Sequence, residues 1–340
     1  MKVKPETIRY LPDMKFCKSL ITMAIASAVA TSPASASLWT TQQGDNPDGP
    51  GTAFDVLHDG KPAARLIFGD GQMKPFLHLL GMDGELLTNP GIDAEGNEAG
   101  RFPHHRGIFI GWNQIRSELG NDDLWHLRRK ESKEVTDVRV AELTDDHAEI
   151  VVDVVWRSSN NDDSGDNALI RETRTLRISK PSEATLVVDA SFTLIAARDL
   201  RLDGDLQHAG IHFRAHRDVD QRRGETVYFW DPEVDAGGGR IVNPEMRWCR
   251  FIYPIGDRWY TTIQLNAPGN PTEELSWRDY GRFGFFFKRE MAKDESFTVR
   301  YRFITTPATA PGEDGFDAST TAAIRQRSNA IHEAFAAEFE

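Results

Sequence analysis

The chain has 340 residues, two cysteines and a formal charge of −12, enough for one large domain or two small ones. So acidic a chain excludes general nucleic-acid binding and docking on anionic lipid, both of which need a net basic surface. It leaves room for a local basic pocket that takes an acidic small molecule.

The first element in chain order is an export leader. The stretch MKFCKSLITMAIASAVATSPASAS has a basic start, an apolar run from Leu20 to Ala30 and the small-x-small triplet Ala34-Ser35-Ala36. Cleavage after Ala36 is expected, which makes 1–36 a signal peptide, with Met14 as an alternative start. The expected location is the periplasm or outside the cell. The apolar run is too short to span a bilayer, and nothing later approaches ~20 consecutive apolar residues. No membrane span is therefore expected after cleavage. Cys17 leaves with the leader and Cys249 remains alone, which excludes an internal disulfide and a cysteine-based zinc site in the mature chain.

Residues 37–310 read as a single all-β domain. Phe102 to Asn113 spells FPHHRGIFIGWN. Pro103 favours an extended residue before it, and His104 and His105, as neighbours in an extended chain, are expected to face opposite ways. Arg106 follows. Ile108, Phe109, Ile110 and Trp112 anchor the segment, so its histidines stand at the rim of a rigid apolar strand. NDDLWHLRRKES, Asn121 to Ser132, then offers Trp125 as an aromatic plate for a sugar ring and His126 as a further imidazole.

Strands are expected over Ala148–Ser158, Arg171–Ser179, Ala184–Ala196 and Glu295–Thr305, where β-branched and aromatic residues recur with period 2. Turn residues divide them at Asn160 to Asn167, Lys180-Pro181-Ser182 and Ala267 to Pro271. The alternation in RETRTLRIS suits a sheet with one wet face. No βαβ alternation and no glycine-rich phosphate loop is present, which argues against a doubly wound fold.

DLQHAGIHFRAH, Asp205 to His216, is the most informative stretch. Read as a strand, it puts Gln207, Ala209, Ile211, Phe213 and Ala215 on one face and Leu206, His208, Gly210, His212, Arg214 and His216 on the other. The first face suits a core. The second lines up imidazoles and a guanidinium, with Gly210 leaving room between His208 and His212. A helix would also group His208, His212 and His216, but the clean alternation favours a strand. Further on, YGRFGFFFKRE is a glycine-spaced aromatic strand ending in Lys288 and Arg289. Residues 311–340 comprise a Pro/Gly linker and one amphipathic helix, Thr320–Glu340, with Ile324, Ile331, Ala334 and Phe335 at helical spacing. The expected architecture is a large antiparallel β-sandwich, either a jelly roll or a mutarotase-like supersandwich, with a C-terminal helix on one side or edge.

KPFLHLLGMDGELLTNPG, FPHHRGIFIGWN, DLWH and HAGIHFRA together resemble the family called DUF6807, also labelled PmoA-like, over roughly Lys61 to Thr305. The His-His-Arg-Gly block is the specific part. Arg101-Phe102-Pro103 stands where Asp-His-Pro is usual in that family, a departure that weakens a metal-binding reading. The resemblance implies a secreted β-rich protein associated with carbohydrate use. A methane-oxygenase subunit, as the second label implies, would be membrane-embedded, and no span supports that here.

The leading functional reading is an exported carbohydrate-active lyase, epimerase or elimination-type enzyme using histidine acid/base chemistry on a sugar or uronic acid. His208, His212, Arg214 and His105 are the catalytic candidates, because an imidazole can abstract a proton beside a carbonyl while a guanidinium stabilises the enolate. His104, Arg106, Trp125, His126 and Lys288 are the substrate-binding candidates. No carboxylate pair stands out for a glycosidase. Two alternatives stay open. One is a non-catalytic carbohydrate-binding protein built on Trp112 and Trp125. The other is a divalent metal as cofactor, held by His104, His105, His208 and His212. The expected partner is a small molecule or oligosaccharide; oligomeric state is left open.

Overall fold

The computed structural model describes residues 37–340 apart from residues 73, 94 and 236. The expected leader, 1–36, lies outside the described residues. Period-2 alternation governs the fold. In the strand His147–Arg157, Ile150, Val152, Val154 and Trp156 are buried and the residues between them are half-buried. In Thr185–Ala196 the buried set is Leu186, Val188, Ala190, Phe192, Leu194 and Ala196. Each such apolar side chain taken from water contributes about 1.5–3 kcal/mol, so the whole set is fixed to one face.

The strands assemble into two large sheets and one small one, with every pairing between named strands antiparallel. The nine-stranded sheet runs, in spatial order, through Trp39–Asp45, Thr52–His58, Lys61–Phe68, Phe76–Leu79, Ile108–Trp112, Ala209–Arg214, Arg282–Phe286, Glu274–Arg278 and Arg240–Val242. The eight-stranded sheet runs through Val227–Asp231, Trp248–Ile255, Arg258–Asn266, Ser296–Pro307, Thr185–Ala196, Ala168–Ser182, His147–Arg157 and Ser132–Leu143. Arg289–Met291, Leu200–Asp203, Gln114–Ser117 and Gly120–Asp122 form the small sheet. The main core lies between the large sheets, where Ile110, Ile211, Phe213 and Phe285 of the first meet Val152, Leu176, Phe192 and Phe303 of the second. This is the expected all-β antiparallel sandwich. Its strand number goes well beyond the roughly eight of a jelly roll.

Two local expectations change. The Lys180-Pro181-Ser182 turn is still strand: Ala168–Ser182 continues through Pro181 across a register shift between Ser179 and Ser182, a position that spares proline a ladder hydrogen bond. The inner face of RETRTLRIS is partly polar, in keeping with its alternation and not a change from it. Glu172 and Arg174 are buried as an ion pair at 2.7 Å, and the Trp156 indole donates to Glu172. The helix begins earlier than expected, spanning Ala318–Ala336 with a 3-10 turn over Ala337–Phe339. Asp317 caps it by accepting from the Thr320 amide at 2.7 Å.

Each large sheet also has an outer face. The C-terminal helix covers the eight-stranded sheet, with Phe335, Ile324 and Ile331 packed on Phe229, Trp248, Ile252, Ile263 and Leu265. Loops cover the nine-stranded sheet, where a smaller apolar group of Ala53, Ile67, Phe76, Phe109, Trp125 and Phe286 forms a floor. Among the described residues no helix is long and apolar enough to cross a membrane.

Candidate active site

The two histidine-bearing segments are neighbours in one sheet. Ala209–Arg214 pairs antiparallel with Ile108–Trp112, placing His212 opposite Phe109 and Ala209 opposite Trp112. As expected, Ala209, Ile211, Phe213 and Ala215 enter the main core. The other side of the strand is buried too: His212 and Arg214 are wholly enclosed. Gly210 serves a different purpose from the one expected. A Cβ there would lie 2.5 Å from the Phe285 carbonyl, so the glycine admits the adjoining strand Arg282–Phe286, not a ligand.

Antiparallel pairing alone would hold His105 and His208 at opposite ends of their strands. They meet because the loop before Ile108 folds back over the sheet. Phe102 is not extended as Pro103 led us to expect. It adopts φ +57° in a turn closed by the His105 amide donating to the Phe102 carbonyl at 2.9 Å. Left-handed backbone at a bulky residue costs on the order of 1–3 kcal/mol. Because the loop turns, His104 and His105 do not face opposite ways: both line one cavity, their rings 4.3 Å apart.

A second loop, Asp123 to Leu127, lies on the same face. The Trp125 ring packs on Phe109 at 4.8 Å and on His212 at 5.2 Å, and its indole donates to His105 Nε2 at 3.2 Å. Lys74 donates to the Trp125 carbonyl at 2.6 Å and stands 3.6 Å over the Phe109 ring. The layers from the sheet outward are therefore Phe109 and His212, then Trp125 and His105, then the cavity of about 480 Å³ lined by His104, His105, His126 and His208.

Two of these imidazoles are held alike. Asp123-Leu124-Trp125-His126 and Asp205-Leu206-Gln207-His208 share the pattern Asp-Leu-x-His. In each, the aspartate accepts the amide of the residue two further on, at 3.1 and 3.0 Å, and the histidine's Nδ1 at 2.8 Å. The rings of His126 and His208 are 5.1 Å apart. Burial works against ionisation of Asp205, but the hydrogen bond and charge of His208, with donors from Gln207 and Asn113, bring it down to about 2. Asp123 is likewise held below its usual range by His126 against the opposing effect of burial.

Burial lowers His104, His105, His208 and His212. His104 is brought down to about 3 by burial and by Lys74, His126 and His208 nearby. His105 falls well below its ordinary value through burial and the neighbouring His212 and His104. His212 does so through burial and Arg282. His208 is lowered by burial, with Asp205 pulling the other way.

Several expected site residues lie elsewhere. His212 and Arg214 sit under the cavity, not on it. Neither ring nitrogen of His212 has a partner, and the Arg214 guanidinium lies 4.6 Å from the Tyr280 ring. Trp125 is fully buried and covered by imidazoles, so its face is closed to a sugar; Trp112 is core, its indole donating to the Phe287 carbonyl at 2.9 Å. Arg106 braces its own loop through the Pro103 carbonyl and Gln72. Lys288 pairs with Asp203 at 3.3 Å on the small sheet, outside the cavity. His216 pairs with Asp218. His104, His105 and His208 do share the cavity. Among the described residues no three His, Cys, Asp or Glu side chains are grouped so as to hold a metal ion.

Residues beyond the sequence reading complete the walls. Phe102 is exposed, 5.3 Å from the Tyr280 ring, with the Arg101 guanidinium over both. Arg128, Arg223, Arg278 and Arg282 line the remainder with Gln207 and Asp279. The sequence carries no signal for these wall residues; the repeated Asp-Leu-x-His could have found only Asp123 and Asp205.

No functionally curated protein matches the chain in sequence. Among solved structures it is similar to a glycoside hydrolase family 97 enzyme from Pseudoalteromonas sp. strain K8, solved with panose. The identity is 11%, covering 72% of this chain and 34% of that one, with a TM-score of 0.39. It is also similar to the α-galactosidase from Lactobacillus brevis (11% identity, 79% and 39% covered, TM-score 0.32). A heparinase III shows 9% identity, 82% and 39% covered and a TM-score of 0.32. The chain thus spans little more than a third of the length of these proteins. The model of DUF6807, a family of unknown function, matches residues 53–315, and the chain belongs to that family.

Proposed function

We propose that the chain is exported to the periplasm or beyond and acts there as a carbohydrate-active enzyme whose acid/base pair is His208 and His126. One observation carries this reading: two imidazoles, each bonded through Nδ1 to its own aspartate, stand 5.1 Å apart on one cavity. A carboxylate accepting from Nδ1 fixes the tautomer and leaves Nε2 as the reactive nitrogen. Burial keeps His208 below its ordinary pKa, so at neutral pH its Nε2 accepts a proton.

The chemistry that follows is proton abstraction beside a carbonyl or carboxylate. His208 takes the proton, and the electron pair of the C–H bond forms an enolate stabilised by Arg282, which burial brings down only to about 10 and leaves charged. In an elimination that pair then forms a C=C bond, the C–O bond one carbon further on breaks, and His126, entering the step as the imidazolium paired with Asp123, gives its Nε2 proton to the departing oxygen. In an epimerisation His126 returns a proton to the opposite face of the same carbon. Phe102, which is exposed, offers aromatic surface to a sugar ring at the cavity wall. His212 and Arg214, which lie beneath the cavity, act as positioning residues for the groups above them, His105 among them.

The test is a panel of neutral and uronic-acid oligosaccharides followed by variants on whichever substrate responds. His208→Asn should lower kcat by about 10²–10⁴-fold with the melting temperature retained. Asp205→Asn removes the carboxylate that holds His208 up, so the acidic limb of kcat/KM should move to lower pH. Undiminished turnover in His208→Asn discards the assignment.

A further inference from the structure

Cations crowd this cavity on an otherwise acidic chain. Its lining includes Arg101, Arg128, Arg223, Arg278 and Arg282 against the single carboxylate Asp279. Arg223 approaches Asp279 at 4.0 Å. Among the described residues Arg101, Arg128, Arg278 and Arg282 make no ion pair with a carboxylate. Arg278 is instead spent on the Gly239 and Trp277 carbonyls, Ser276 and the Gln207 side chain.

Arg282 is the most telling. It is only 1% exposed, yet it lines the hollow. Its guanidinium donates to Ser276 Oγ at 2.8 Å and to the Gln207 carbonyl, and its Nε has no partner. His105, 2% exposed and also on the lining, has an unpartnered Nδ1. Its Nε2 accepts from Trp125, so Nδ1 is the nitrogen that carries the proton. Buried cations and donors without a counter-charge are costly unless something supplies one.

We infer that the cavity takes an acidic sugar, whose oxyanion is received by Arg282 and the His105 side and flanked by Arg101 and Arg128. This deepens the enzymatic reading above and rests on it for the sugar itself. A carboxylate and a sulfate ester share the recognising chemistry, planar guanidinium donors aimed at anionic oxygens. A carboxylate has the further merit of acidifying the carbon beside it once its charge is neutralised.

Calorimetric titration of the His208→Asn protein, which separates binding from turnover, uses three probes of one length: a neutral oligosaccharide, an oligogalacturonate and a sulfated oligosaccharide. At least one acidic probe should bind about tenfold or more tightly than the neutral one, and rising salt should erode the difference. Preference for the oligogalacturonate assigns the oxyanion to a carboxylate, and preference for the sulfated probe assigns it to a sulfate ester. Arg282→Gln should abolish the preference. Because Arg282 is buried, the double variant Arg101→Gln/Arg128→Gln, at two exposed positions, keeps the test open if Arg282→Gln fails to fold, and should reduce the preference several-fold.

Equal binding of neutral and acidic probes, no binding of any, or a preference untouched by both variants overturns the inference. Acidic sugars that bind but are never turned over by the native protein would remove the enzymatic reading and leave the anion site standing. Turnover of neutral sugars alone does the reverse.

Discussion

The outer faces of the two large sheets solve the same problem in opposite ways. On the eight-stranded sheet the C-terminal helix brings a matched surface. Phe335 enters an apolar group, the Trp248 indole donates to Asn329 at 2.9 Å, and Arg302 is shared between Asp189 and Glu338. On the nine-stranded sheet two loops cover a floor that contains His212 with both nitrogens unpartnered, Arg214 with two unpartnered nitrogens and Lys74 without a carboxylate. The first face is mostly matched, with Arg250 Nε and Arg325 Nε its unpartnered exceptions. The second keeps costly groups in place, and a protein that tolerates such cost concentrates it where function needs it.

Substitutions can break this contrast. The largest effect is expected on the matched face, where Phe335→Ala should cost about 3–5 kcal/mol by leaving a cavity, read from urea unfolding. A loss near zero would mean that the helix merely rests on the sheet.

Acid should sharpen the contrast next. His78 and His104 are each brought down to about 3 by burial, and His105, His208 and His212 are lowered on the same side of the molecule. These groups stay neutral when folded but take protons when unfolded from about pH 6.5 downward. Below that pH the unfolded chain binds more protons, so stability is full above about 6.5 and is lost as pH falls toward 3. Urea midpoints measured across that window should decline steadily, and a flat profile would count against the buried imidazoles.

A smaller effect runs the other way. His212→Leu removes two unpartnered nitrogens from a site of similar volume and should stabilise the fold by about 1–3 kcal/mol, while lowering turnover through the displaced His105. Destabilisation would show that His212 finds partners in solution. The smallest change belongs again to the matched face: Asp317→Ala removes the helix cap and should cost about 1 kcal/mol, seen as a modest drop in melting temperature.

The sheet-forming stretches were legible because period 2 is a local property. Ala148–Ser158 and Ala184–Ala196 each come within a residue or two of the strands they describe. The face assignment of Ala209 to Ala215 was legible for the same reason, whereas Gln207, expected on the core face, lines the cavity, and of the gathered His104, His105, His208 and His212 the last lies beneath it. What misled was the treatment of neighbours as extended. Phe102 in left-handed backbone reverses the loop, brings both histidines of His104-His105 to one side and exposes its own ring beside Tyr280. Trp125 reads as a platform because a sequence gives no depth; the imidazoles of His105 and His208 pack against it and it is fully buried.

The amino-acid order by itself determined which segments are strands, which face of each is apolar, and that imidazoles cluster in two short runs, since these follow from nearest-neighbour chemistry. Only the tertiary structure decided that the runs meet, that an aspartate three residues earlier holds each of His126 and His208, and that arginines from 101, 128, 278 and 282 surround them. The reason is physical: burial, counter-charge and the folding-back of a loop are set by groups distant in the chain, and no local pattern encodes which of them will be near.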